Sequence, residues 1–78
     1  MDIKETKFAK MWKSICPDVY DLAIWIATNE YLIVNIYKVP DIGWVIEPRN
    51  ILPDFWLNVH FTREQAINEC IDMNWTIR

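Results

Sequence analysis

The sequence predicts an α+β domain: a small, mainly antiparallel sheet of four to five strands with an N-terminal helix and a C-terminal helix packed on it, in the order α-β-β-β-β-α-β. Three observations carry this expectation. Phe8, Met11, Trp12 and Ile15 recur at helical spacing. β-branched and aromatic residues dominate from Val19 to Val39. Thr62-Arg63-Glu64-Gln65 has the form of a capping box ahead of a second helical pattern. With 78 residues and 9.4 kDa, the chain is expected to form one domain over positions 1–78.

The first helix places Phe8, Met11, Trp12 and Ile15 on one stripe and Lys7, Lys10 and Lys13 on its wet side, with Asp2 and Glu5 as a capping-box-like start and Pro17 as the stop. Asn29-Glu30 is then expected to be a two-residue hairpin turn between antiparallel strands. In that register Thr28 opposes Tyr31, Trp25 opposes Val34 and Asp21 opposes Lys38, an opposite-charge pair. One hairpin face carries Tyr20, Leu22, Ile24, Ile26, Ile33, Asn35, Tyr37 and Val39, and the other carries Ala23, Trp25, Ala27, Leu32, Val34 and Ile36. Both faces are apolar, so the hairpin needs cover on both sides from helices or another subunit. Two short helices would cover only one face.

Pro40-Asp41-Ile42-Gly43 reads as a turn and Trp44 to Glu47 as a short strand ended by Pro48. Ile51 and Leu52 sit in a proline-bounded loop from Pro48 to Asp54. From Phe55 to Phe61 the residues alternate, with Phe55, Leu57, Val59 and Phe61 facing inward and Trp56, Asn58 and His60 outward. The last helix buries Ala66, Ile67, Cys70 and Ile71, with Phe61 against Ala66 as a hydrophobic staple, and Trp75 to Arg78 adds a short edge strand.

Eleven acids against eight bases give a net charge of -3 and a pI near 4.9, which makes duplex DNA an unsuitable partner. Residues 1–16 hold four lysines against two acids, a balance of +2, and the remainder holds four bases against nine acids, a balance of -5. The lysine stripe reads as the ordinary wet side of an amphipathic helix. One glycine and one histidine leave little for phosphate loops or acid/base relays. His60 and Glu64 do not lie on consecutive turns of one helix, and neither cysteine has a base beside it in sequence, so no catalytic residue, metal or cofactor is expected. Cys16 and Cys70 fit free thiols in a cytoplasmic protein, with one disulfide as the open alternative. Neither a signal peptide nor a membrane span is apparent.

Eleven aromatic residues, five of them tryptophan, form the most unusual feature. Tryptophan and tyrosine are enriched at binding hot spots. Trp12, Phe61 and Trp25 are expected to be covered. The surface expected to meet a partner comprises Trp56, Asn58 and His60, the loop residues Arg49, Ile51 and Leu52, and Tyr31 and Tyr37 with Asn35. In size, acidity and lack of catalytic residues the chain is similar to small phage-encoded accessory proteins that block host enzymes or defence complexes, anti-CRISPR proteins among them. That resemblance implies a small non-catalytic inhibitor or accessory protein that blocks a larger host or target protein sterically. A homodimer through the two-sided hairpin or the last strand is also expected. The alternatives are an oligomeric binder of a nucleotide-like ligand, with aromatic rings from paired subunits around it, and a single-stranded nucleic-acid binder.

Overall fold

The computed structural model describes residues 3–52 and 54–78. The chain is α+β, with α1 (Lys7–Ile15), α2 (Pro17–Thr28), β1 (Ile33–Val39), β2 (Gly43–Pro48), β3 (Asn58–His60), α3 (Arg63–Met73) and β4 (Thr76–Ile77). The four strands form one sheet in the order β3-β2-β1-β4. β1 pairs antiparallel with β2, β2 pairs antiparallel with β3, and β4 lies parallel to β1 at the opposite edge.

The main departure from the sequence reading is α2. The expected first strand, residues 19–28, is helical, so the order is α-α-β-β-β-α-β and the pairs Thr28–Tyr31, Trp25–Val34 and Asp21–Lys38 do not form. Pro17 occupies the first turn of α2, where its missing N–H costs nothing and its fixed φ suits the helix. It therefore opens a second helix as well as closing the first. Ala23, Ile26 and Ala27 then fall at i, i+3 and i+4 and are buried, while the β-branched residues that suggested a strand are carried by this packing. Asn29, with φ of -65°, ends the helix instead of turning a hairpin, and its Oδ1 accepts from the Tyr31 N–H at 3.0 Å. The doubly apolar hairpin that suggested a homodimer is absent. Of the two contacts expected for that dimer, only the β4 edge exists.

α1 begins at Thr6, whose Oγ1 accepts from the Ala9 N–H at 3.0 Å and donates to the Leu57 carbonyl at 2.8 Å. This threonine thus both caps the helix and ties it to the approach to β3. Asp2, half of the expected capping pair, and Pro53, within the proline-bounded loop, lie outside the described residues. Ala9 is the buried residue of α1; Met11 and Ile15 of its apolar stripe are exposed, and Phe8 meets Trp12 edge-on with ring centroids 6.3 Å apart.

The capping box of α3 is present in full, with Thr62 and Gln65 each bonding the other's backbone N–H. Asn74 closes that helix in the left-handed conformation with φ of 62°. Ala66 and Cys70 are buried as expected, whereas Ile71 is exposed. Phe61 is 91% exposed, so it is neither core nor a staple on Ala66. The capping box holds the turn into α3 by itself and leaves the ring pointing to solvent.

The core lies between one sheet face and helices α2 and α3. Val34 and Ile46 from the strands meet Ile26 and Ala27 from α2 and Ala66 and Cys70 from α3, with Leu32, Leu57 and Trp75 closing the cluster. The buried Trp75 Nε1–H donates to the Ala27 carbonyl at 2.8 Å, which satisfies both the indole and a carbonyl in the last turn of α2.

Candidate interaction surface

The sequence placed Trp56, Asn58 and His60 on one outward strip, and the structure separates them. In the β2–β3 register Asn58 opposes Ile46 and His60 opposes Trp44, which is the sheet face covered by α3. Asn58 is accordingly buried, at 5% exposure. Its Nδ2 donates to both carboxylate oxygens of Glu69 on α3, at 2.8 and 2.9 Å, while its Oδ1 accepts from the Val59 N–H at 2.8 Å. His60 Nε2 lies 3.0 Å from Glu69 Oε1. Only residues 58–60 join the ladder, and Leu57 before them is buried as well, so strict alternation across Phe55–Phe61 assigned the wrong side.

A carboxylate accepting from Asn58 and His60 is a structural anchor for α3 on β3. Lys7 and Asp72 flank the open groove beside it. Among the described residues no group of three or more histidine, cysteine, aspartate or glutamate side chains is arranged to hold a metal ion.

Trp56 is half-buried on the other side of the sheet. Its Nε1–H donates to Tyr37 Oη at 3.1 Å, and Tyr37 Oη donates to Glu47 Oε2 at 3.0 Å. Burial holds the Tyr37 phenol above its ordinary pKa, and Glu47 adds to the effect while the Trp56 bond opposes it. Tyr37 opposes the fully buried Val45, so this chain of polar contacts spans the second sheet face.

Arg49 is exposed, and its Nη1 donates to the Arg78 carbonyl at 3.1 Å. Ile51 packs against the core and Leu52 is exposed. Asn50, between Arg49 and Ile51, donates to the Tyr31 carbonyl and accepts from the Ile33 N–H, both at 2.9 Å. It therefore joins the loop after β2 to the turn that carries Tyr31.

Tyr31 borders a groove of about 550 Å³ that the sequence reading missed. Ile3, Ile24, Trp25 and Tyr31 supply its apolar lining, and Asp21, Glu30, Thr28 and Asn29 supply the polar part. Trp25 is 60% exposed, Tyr31 77% and Ile3 72%. At about 3.6 residues per turn, Asp21, Trp25 and Thr28 share the side of α2 opposite the buried Ala23, Ile26 and Ala27. Taking residues 19–28 as a strand hid this grouping and left Trp25 assigned to cover.

Two lysines of the α1 stripe meet groups within the molecule, and Lys7 is exposed. Lys10 pairs with Glu5 at 3.7 Å, Lys13 lies 5.4 Å from the Tyr20 ring centroid, and Tyr20 Oη donates to Glu5. That bond, with smaller effects from desolvation and acidic neighbours, holds the Tyr20 phenol above its ordinary value.

Both cysteines are free. Burial pushes the Cys70 thiol up to about 12, with the Glu69 charge adding to it, whereas Cys16 is partly accessible between α1 and α2. At pH 8 a disulfide reagent such as dithionitrobenzoate should therefore titrate one thiol rapidly in the native protein and two in guanidinium. Two rapid native thiols would contradict the packing of Cys70.

No helix among the described residues is long and apolar enough to cross a membrane. Comparison with protein-family models, with curated proteins and with solved structures finds no match to this chain.

Proposed function

We propose that this chain is a small non-catalytic protein-binding module that acts by occupying a surface of a larger target protein, in the manner of an inhibitor or accessory protein. The observation that carries this reading is the clustering of Trp25, Tyr31 and Ile3, all largely exposed, around one groove on α2. Exposed aromatic and aliphatic groups gathered in one place supply a hot-spot centre, and contiguous patches of this kind mark interaction sites. Asn50 fixes Tyr31 beside the Arg49–Leu52 loop, so the loop extends the same binding region. A module of this size would bury on the order of 800 Å² per partner and act by steric exclusion.

The test is a native mass spectrum of the protein isolated gently from its host. A stoichiometric complex with one larger protein is the expected result. A bare chain or oligomer carrying a few hundred daltons of added mass would overturn the reading in favour of a small-ligand binder, for which a groove on the order of 300–1,000 Å³ is also of suitable size.

A further inference from the structure

We infer that the α2 groove receives an arginine-bearing segment of the partner protein, whose guanidinium stacks on Trp25 or Tyr31 and meets the carboxylates of Asp21 and Glu30; this rests on the reading of the groove as a protein-binding surface. Charge is the first argument. The groove is lined by two acids and no lysine or arginine. The Lys10–Glu5 ion pair lies away from the groove, so among the described residues neither Asp21 nor Glu30 has a lysine or arginine partner.

Hydrogen-bonding capacity is the second. Thr28 Oγ1 already accepts from the Lys4 N–H at 3.0 Å, and Asn29 Oδ1 from the Tyr31 N–H at 3.0 Å. The carboxylates are the charged acceptors of the site, and they accept without donating when ionised. A partner must bring donors and positive charge.

The aromatic rings decide between the two cations. Arginine presents a planar fork that bonds carboxylates bidentately and stacks on an aromatic face, whereas the lysine ammonium is a compact, strongly hydrated point charge. Ile3 and Ile24 suit an aliphatic residue flanking that arginine.

The probe is an acetylated, amidated hexapeptide of alternating arginine and leucine, titrated into the full chain while the indole N–H resonances and backbone amides are followed by NMR. Its control is the same peptide with citrulline, which keeps the shape and loses the charge. The Trp25 indole and the Tyr31 amide should move with the arginine peptide. Affinity should fall at least about tenfold with citrulline, and by a similar factor in the surface variant Asp21→Asn/Glu30→Gln, because charge-assisted hydrogen bonds are lost. Equal shifts with both peptides, or shifts confined to other residues, would overturn the inference.

Sedimentation of the protein alone tests the other occupant. Concentration-dependent dimerisation abolished by Asp21→Asn/Glu30→Gln would make the occupant a second copy and also overturn it. If neither peptide moves Trp25 while the host complex still forms, the arginine chemistry fails and the binding-module reading stands. If the host yields no larger partner, that reading fails whatever the peptide does.

Discussion

Gly43→Ala should destabilise the protein by about 2–6 kcal/mol, the combined scale of backbone strain and an overpacked contact. Gly43 begins β2 with φ of 132°, a conformation that side chains rarely adopt. A Cβ there would stand 2.5 Å from the His60 carbonyl oxygen, a backbone atom of the neighbouring strand. That oxygen has little freedom to retreat, because Trp44 pairs with His60 in the ladder and Glu69 holds His60 from α3. The turn preceding Gly43 is also specified, with Asp41 at φ of 66° and the Ile42 N–H donating to the Val39 carbonyl at 3.1 Å. Urea unfolding should show a lower midpoint with an unchanged slope. A midpoint equal to that of the native chain would contradict this arrangement of the β1–β2 turn against β3.

Glu69→Ala is expected to cost about 2–3 kcal/mol, the scale of breaking charge-assisted hydrogen bonds and leaving a buried donor unmade. Asn58 bears this loss: its buried amide has both Glu69 oxygens as acceptors and little access to water. Removing the carboxylate frees α3 from β3 and leaves Asn58 to find water or rearrange. Glu69→Gln, which retains one acceptor oxygen, should cost less, and Glu69→Ala/Asn58→Leu should recover part of the stability because the orphaned amide is removed as well. Thermal unfolding of the three variants checks the order. Equal stability of Glu69→Ala and the native chain would show that the Asn58 amide has another partner.

Local signals made α1, α3 and the β1–β2 turn legible. The apolar spacing of Phe8, Met11 and Trp12, the pairing of Thr62 with Gln65, and the proline and glycine around Asp41 each act within a few residues. The edge strand after Trp75 was legible too, as a short β-rich tail beyond the end of a helix. Residues 19–28 were not. Val19, Tyr20, Ile24 and Trp25 favour extended structure on their own, and the packing of Ile26 and Ala27 with Leu32 and Val34 overrides that preference. Pro17 at the first turn was the available signal for a second helix.

The same error governed the candidate site. On a strand Trp25 alternates into one of two apolar faces, while on α2 it joins Asp21 and Thr28 on the exposed side. Tyr31 is expected at the surface as a member of the doubly apolar hairpin; the structure exposes it, but in the turn after α2. Asn58 and His60 were assigned outward because β3 was read as seven residues long; with three, its parity is set by the β2 register and not by Phe55.

The proposed interface is the α2 groove and not Phe61, although Phe61 is more exposed than Trp25 or Tyr31. Its most direct test is the affinity of the host-purified target for the native chain, for Trp25→Ser/Tyr31→Ser and for Phe61→Ser, each first shown to unfold at the same denaturant concentration. The groove variant should lose about 100-fold or more in affinity, the scale of two hot-spot truncations, while Phe61→Ser binds as the native chain does. Unchanged binding by the groove variant, with loss on changing Phe61, would contradict the account and move the interface to the start of α3.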